Sequence, residues 1–163
     1  MKDDKGQSVI HIRLAIPDDV TAIASVLRES FAEFVDLYTP AAFTATTPSS
    51  EIILRRLDEG PSWIAAINGD IAGTVSGVGR DNGLYIRSMA VLPSARGYGL
   101  GHMLLQQVEA YALEMGFHHL ILSTTPFLNS AIRLYERAGF EHSDAGPADL
   151  HGTPLITMIK SLE

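Results

Sequence analysis

The chain has 163 residues, of which 46% are hydrophobic and 19% charged, a composition typical of one globular domain. Its formal net charge of −7 disfavours a nucleic-acid or anionic-membrane partner, because neither attracts an acidic surface. Cysteine is absent, which excludes disulfides, a thiolate nucleophile and cysteine-ligated metals, and which is consistent with a cytoplasmic location.

We expect no signal peptide in the N-terminal segment. Residues 1–8 are polar and lack the apolar region of a signal peptide, so we expect a disordered segment there and one domain over residues 9–163. No apolar run approaches the length of about 18 residues that a membrane-spanning helix needs.

Hydrophobic periodicity and turn residues divide the chain into short strands and helices. Asn68-Gly69 is a strong hairpin signal, Gly116 is expected to end one helix, and Gly139 is expected to end another in the left-handed conformation. The polar, proline-containing stretch 39–50 predicts a loop, with Ser49 or Ser50 capping the next helix. The predicted strands are 9–14, 63–67, 71–78, 84–92, 118–123, 140–143 and 154–159, and the predicted helices begin near residues 17, 50, 100 and 129.

This order predicts a mixed α/β domain with an antiparallel front half. Residues 84–123 form a strand-helix-strand unit, for which a right-handed parallel crossover is expected. Between that strand and that helix lies the segment VLPSARGYGLG, Val91 to Gly101. Glycines at a helix N-terminus present free backbone N–H groups, which together with the helix dipole favour a phosphate.

Two common nucleotide motifs do not fit this segment. The P-loop requires Lys followed by Ser or Thr after its last glycine, whereas His102 and Met103 follow Gly101. The dinucleotide fingerprint requires the spacing G-x-G-x-x-G, whereas Gly97, Gly99 and Gly101 are spaced G-x-G-x-G.

Arg96-x-x-Gly99-x-Gly101 resembles the acyl-CoA pyrophosphate loop of the GNAT superfamily of acetyl-CoA-dependent N-acetyltransferases. The segment NSAIRLYERAGF, Asn129 to Phe140, is similar to the second signature of that superfamily. The resemblance covers almost the whole chain and is weakest over residues 27–60. It implies an α/β (α+β) fold: a single mixed, mostly antiparallel sheet of about seven strands flanked by about four helices, with a splayed central crevice.

The resemblance also implies acetyl-CoA as cosubstrate and assigns residues to it. The backbone of the strand before the loop would pair with the pantetheine arm, and N–H groups of the loop would hold the pyrophosphate. Asn129 would contact the arm, although a plain helix N-cap is its default role. Tyr135 would protonate the leaving thiolate, although a packed core tyrosine is the alternative. The residues so assigned are Met89, Ala90, Val91, Arg96, Gly97, Tyr98, Gly99, Leu100, Gly101, Asn129 and Tyr135.

The general base is the point at which the sequence departs from the family. Acetyl transfer to an amine requires the ammonium to lose a proton first. Many relatives use a Glu on the central strand, but residues 84–89 contain no carboxylate. Ordered water, Glu33 or Asp36 remain as options, and the two acids are otherwise solvated helix residues. The six histidines show no ligand spacing, so no metal is predicted.

The acceptor site is predicted from a few scattered residues. Phe31 and Tyr38 are candidates for an acceptor pocket, and Thr124 either lies near the acetyl group or forms the turn before Pro126. Arg87 binds a substrate carboxylate or forms a structural ion pair.

The leading hypothesis is acetylation of a small-molecule primary amine by direct attack in a ternary complex. One alternative is a protein N-terminus or lysine as the acceptor. Another is a non-catalytic acyl-CoA-binding regulatory module, which would have no use for a thiolate acid at Tyr135. A homodimer is compatible with the sequence.

Overall fold

A computed structural model describes residues 7–81 and 83–162, and within these ranges seven strands form one sheet. The strands and a small separate hairpin are β1 (Ile10–Leu14), β2 (Ser62–Ile67), β3 (Asp70–Arg80), β4 (Gly83–Val91), β5 (His119–Thr124), β6 (Glu141–Ser143), β7 (Asp149–Leu150), β8 (Thr153–Pro154) and β9 (Ile156–Ser161). The helices are α1 (Val20–Phe31), α2 (Pro40–Thr46), α3 (Ser50–Arg56), α4 (Leu100–Met115) and α5 (Asn129–Arg137).

The sheet order is β1-β2-β3-β4-β5-β9-β6. β4 and β5 run parallel, joined through α4, and the other neighbouring strands are antiparallel. The mixed, mostly antiparallel fold expected from the sequence is therefore confirmed. Residues 1–6 of the segment expected to be disordered lie outside the described residues. Within the described ranges, no helix is both long and apolar enough to cross a membrane.

Two apolar clusters cover the two faces of the sheet. In β2, Trp63 and Ala65 belong to the cluster beneath α4, whereas Ile64 and Ala66 belong to the cluster beneath α1 and α3. This alternation follows from the period of two in a strand, which sends successive side chains to opposite faces. The helices are thereby fixed on both sides of the strands from which the site is built.

Several turn and cap predictions are confirmed. Asn68 and Gly69 adopt φ of 52° and 89° between β2 and β3, as the hairpin signal predicts. Gly116 and Gly139 have φ of 80° and 100° after α4 and α5. The Ser49 side chain accepts a hydrogen bond from the Ile52 N–H and so caps α3.

The loop prediction for residues 39–50 is wrong, because α2 occupies most of it. The Thr39 side chain accepts from the Ala42 N–H, and Pro40 fills the first helical position, where its missing N–H costs nothing. The hairpin of β7 and β8 was not predicted either. It is tied to this helix start, because the Thr39 N–H donates to Thr153 Oγ1 at 2.9 Å.

Candidate active site

β4 and β5 separate before either strand ends. They pair from Gly83 with His119 to Ile86 with Leu122, yet β4 continues to Val91 and β5 to Thr124. Beyond Ile86, no strand in the described ranges pairs with β4 on its β5 side. This fork, the predicted splayed crevice, opens into a cavity of about 1040 Å³ that both strands line.

A bulge in β4 lies at the fork. Ser88 has φ of 54°, and the pairing of β3 with β4 shifts between Thr74 and Ser76. The left-handed conformation costs a non-glycine residue about 1–2 kcal/mol, so the surrounding structure must hold it. Arg56 Nη1 donates to Ser88 Oγ at 3.0 Å, which brings the end of α3 to the fork.

The glycines of the loop before α4 serve two different purposes. Gly97 and Gly99 have φ of 91° and 78°, and a Cβ atom on either would meet no atom within 4 Å. Both line the cavity, so the space in front of them is open to a ligand. Gly101 instead allows close helix packing, because a Cβ there would lie 2.8 Å from Leu134 Cδ2 on α5. Tyr98 is 49% exposed and does not line the cavity.

Two buried tyrosines face the cavity. Burial raises the pKa of Tyr135 on α5, and the neighbouring Tyr38 raises it further. Burial also raises the pKa of Tyr38, although the neighbouring Thr125 hydroxyl opposes that rise. Both phenols therefore stay protonated near neutral pH and can act as hydrogen-bond donors. The Tyr38 ring packs edge-on against Phe127, with centroids 4.9 Å apart.

Asn129 is the first residue of α5 rather than its cap. Leu128 occupies the N-cap position, and no side chain there makes a capping hydrogen bond. The N-cap interpretation of Asn129 is therefore wrong. The Asn129 side chain is exposed and lines the cavity, which leaves it available to a ligand.

The cavity brings together most of the residues singled out in the sequence. From the predicted cofactor set it is lined by Met89, Ala90, Val91, Arg96, Gly97, Gly99, Leu100, Gly101, Asn129 and Tyr135, and from the acceptor set by Phe31, Tyr38, Arg87 and Thr124. For Arg87 the ion-pair interpretation holds in part, since its Nη2 lies 2.6 Å from Glu59 Oε2. Its Nε is buried and has no hydrogen-bond partner among the described residues.

Neither candidate carboxylate base lies at the fork. Glu33 Oε1 is 2.6 Å from Arg96 Nη2, and Asp36 is exposed on the surface. Within the described ranges, no Asp or Glu lines the cavity. His102 does line it, from the first turn of α4 beside the glycine loop. No group of three or more His, Asp or Glu residues in the described part of the chain is placed to hold a metal ion.

Sequence reasoning missed the basic character of this cavity. Arg133 and Arg137 follow Asn129 at intervals of four on α5, a one-face stripe that was visible in the sequence. Arg56 and Ser88 carried no comparable signal, because they are 32 positions apart and meet only in the folded chain. The arginines that line the cavity are Arg56, Arg80, Arg87, Arg96, Arg133 and Arg137.

Comparisons with known proteins agree with this architecture. Residues 23–140 match the model of the Acetyltransferase (GNAT) family. The chain is 33% identical over 145 residues to the N-acetyltransferase YjgM of Escherichia coli K12, with 85% of each chain covered. It is 32% identical over 97 residues to the N-acetylaspartate synthetase of Xenopus tropicalis, covering 58% of this chain and 35% of that protein.

The fold is shared with solved structures. The crystal structure of the PaiA N-acetyltransferase from Thermoplasma acidophilum in complex with coenzyme A superposes with a TM-score of 0.81 at 18% identity. The match covers 94% of this chain and 99% of that chain. Because the family model spans most of the sequence, the chain belongs to the GNAT family and is an N-acetyltransferase.

Proposed function

We propose that this enzyme transfers an acetyl group from acetyl-CoA to a primary amine of a small molecule, by direct attack in a ternary complex. The observation that carries the proposal is one cavity lined both by the open glycines Gly97 and Gly99 and by the buried phenols of Tyr38 and Tyr135. Its volume of about 1040 Å³ lies at the upper end of ligand sites, which favours room for two ligands in contact.

The end of the cavity that is formed by the glycine loop and the fork-side edge of β4 is suited to bind acetyl-CoA. The N–H groups from Arg96 to Gly101 precede and open α4, where a diphosphate is favoured by the helix dipole. Among the described residues, no strand pairs with the backbone of Met89–Val91 on the fork side, so this backbone is suited to bind an extended pantetheine arm as an added strand would. The PaiA enzyme was crystallised with coenzyme A, which supports the same ligand here.

The chemistry proceeds without an enzyme-bound acetyl group. The amine nitrogen attacks the thioester carbon, the C–S bond breaks, and one proton of the amine is lost while the thiolate gains one. The chain has no cysteine, so a thiolate acyl-enzyme is not available to it. Tyr135, kept protonated by burial, donates a hydrogen bond to the departing sulfur.

The base in this proposal is water. Glu33 is paired with Arg96 and Asp36 is outside the cavity, so neither carboxylate is in reach of an amine at the fork. His102 lies beside the glycine loop, where we place the diphosphate. Ordered water that leads from the fork to solvent carries the proton away.

A compact acceptor is favoured over a protein segment. The cavity is walled by residues of α2 and of the β7–β8 region, including Thr46, Leu150 and Leu155, so the acceptor end has walls on several sides. A relative that matches part of the chain is named for making N-acetylaspartate, a small acetylated amino acid.

Steady-state kinetics test this proposal. Thiol release from acetyl-CoA is followed with a panel of primary amines, and the acetylated product is identified by mass spectrometry. A ternary complex predicts intersecting double-reciprocal lines and an unmodified enzyme. Parallel lines with an enzyme mass increased by one acetyl group would instead establish a covalent intermediate. Turnover of peptides with no turnover of small amines would move the acceptor to the protein class.

A further inference from the structure

The cavity is basic although the protein is acidic. Six arginines and, within the described ranges, no carboxylate line it, in a chain whose formal net charge is −7. Arg96, Arg133 and Arg137 lie on the glycine loop and α5, where the phosphates of the proposed cosubstrate account for them. Arg80 lies over the Tyr85 ring, 4.3 Å from its centroid. Arg56 and Arg87 lie on α3 and β4, and those phosphates do not account for them.

Arg87 and Arg56 meet at the fork. Arg87 directly follows Ile86, the last β4 residue paired with β5, and only Ser88 separates it from the Met89–Val91 edge. Arg56 reaches the same point through its 3.0 Å hydrogen bond to Ser88 Oγ. Burial is the main cause that lowers the pKa of Arg56. The second cause is the positive charge of Arg87, which shows that the two guanidinium groups are close together.

The positive charge at this point is only partly compensated. Glu59 pairs with Arg87, but its side chain is 50% exposed and stands outside the cavity, whereas the Arg87 side chain is 18% exposed. The Arg87 Nε is buried with no partner among the described residues, so one donor of this guanidinium group is unsatisfied. Buried guanidinium groups are normally matched by carboxylates or phosphates with paired hydrogen bonds.

We propose that Arg56, Ser88 and Arg87 bind a carboxylate of the acceptor, so that the substrate is a primary amine that also carries a carboxylate, as an amino acid does. This inference rests on the proposed function, because it names the acceptor class of the same cavity. In an amino acid the nitrogen is only a few bonds from the carboxylate. An anchored carboxylate therefore holds the amine at the fork, beside the end of the strand where the thioester is placed.

The first test compares each amino acid with its carboxamide, which keeps the amine and removes the negative charge. Values of kcat/KM are expressed per unprotonated amine, because the amides have more acidic ammonium groups. With saturating acetyl-CoA, at least one amino acid is expected to exceed its amide by about 10- to 100-fold, the usual value of a charge-assisted hydrogen bond. Equal values for every pair would overturn the inference while leaving acetyl transfer intact.

The second test uses the variant Arg56→Gln with Arg55→Gln as its matched control. Arg55 precedes Arg56 on α3, is exposed and does not line the cavity, so its substitution makes the same charge change without touching the site. Arg56→Gln is expected to lower kcat/KM for the amino acid about 10-fold more than for its amide. Arg55→Gln should leave the ratio unchanged. An equal loss for both acceptors in Arg56→Gln would make Arg56 a structural residue.

The third test does not require turnover and reads the site in the unaltered enzyme. The Arg87 Nε–H resonance is assigned in ¹⁵N-labelled protein by its loss in Arg87→Lys. Succinate, a dicarboxylate without an amine, is expected to shift that resonance, and succinamide is expected to leave it in place. If no amine is acetylated but succinate still shifts the resonance, the proposed activity fails and the carboxylate site stands. If succinate shifts nothing, the carboxylate site fails, whatever the activity.

Discussion

The two ends of the cavity are assembled in different ways. At one end a single segment, residues 96–101, presents backbone groups in a shape fixed by the left-handed glycines Gly97 and Gly99. At the other end, side chains arrive from α1, α3, β4, β5 and the turn before α5, and examples are Phe31, Arg56 and Thr124. A ligand common to a family can be held by the first kind of site, because backbone groups do not change when side chains do. A ligand that differs between members requires the second kind.

The largest effect is expected from a substitution in the glycine loop, residues 96–101. Gly99→Val should abolish binding of acetyl-CoA, because the valine side chain would occupy the open space in front of a residue with φ of 78°. In the wild-type protein a ligand at 100 times its Kd stabilises the fold by about 2.7 kcal/mol. For a chain of this size that corresponds to a Tm rise of about 5–10 °C, which thermal melts would record.

Gly116→Val is the matched control for this change. Gly116 has φ of 80° and equally open surroundings at the end of α4, so the backbone strain is similar and the cavity is not involved. Its Tm should fall, yet the rise on adding acetyl-CoA should remain. If Gly99→Val keeps the wild-type rise, the phosphate-loop assignment is wrong.

The second largest effect is expected from removal of the buried Tyr135 hydroxyl. Tyr135→Phe should lower kcat by about 100-fold, with acetyl-CoA binding largely kept, because only the donor to the leaving sulfur is lost. Tyr111→Phe removes a hydroxyl from a tyrosine that packs on Trp63 away from the cavity, and it should leave kcat near the wild-type value. An unchanged kcat in Tyr135→Phe would reduce Tyr135 to a packing residue.

The pH dependence of kcat/KM tests whether a side chain of the cavity acts as the base. With water as the route, kcat/KM should rise about tenfold per pH unit below the pKa of the amine, because an alkylamine of pKa about 10 is mostly ammonium near neutrality. Burial raises the pKa of both Tyr135 and Tyr38, so phenol ionisation should not produce a falling limb below about pH 9.5. The profile is measured with two amines of different pKa. An apparent pKa fixed near 7 for both would establish an enzyme base.

The smallest effect concerns the charge balance at the fork. Glu59→Gln removes the carboxylate that now pairs with Arg87, so KM for a carboxylate-bearing amine should fall about two- to threefold, a size typical of an exposed ion pair. Asp58→Asn makes the same charge change one residue earlier, on an exposed side chain outside the cavity, and should leave KM unchanged. A rise in KM for Glu59→Gln would show that Glu59 positions Arg87 instead of competing for it.

The difference between the two ends also explains what the sequence revealed. The loop was identifiable because Arg96, Gly97, Gly99 and Gly101 are close in the chain and their backbone requirements are local. The positions of the main strands along the chain and most helix ends were predictable for the same reason, since caps and hairpins depend on neighbouring residues.

The end of the cavity that is built from scattered side chains could be predicted only in fragments. Phe31, Tyr38 and Thr124 were selected individually, but no local pattern places them beside Arg56, whose hydrogen bond to Ser88 joins two distant segments. The helix α2 was missed for a different reason. Thr39-Pro40 is itself a helix start signal, and the polar residues around it favoured a loop interpretation instead.

The close contact of Gly101 with Leu134 limits the length of the thioester donor that the cavity can accept. Leu134 adjoins Tyr135 in α5, so the packing of α5 against the start of α4 also sets the spacing between residues 96–101, where we propose that the diphosphate binds, and the Tyr135 phenol. A thioester that lies between the loop before α4 and the Tyr135 phenol must match that spacing. We therefore expect Gly101→Ala to displace the Leu134 side chain first, and to lower kcat only as far as α5 and Tyr135 move with it, while acetyl-CoA still binds.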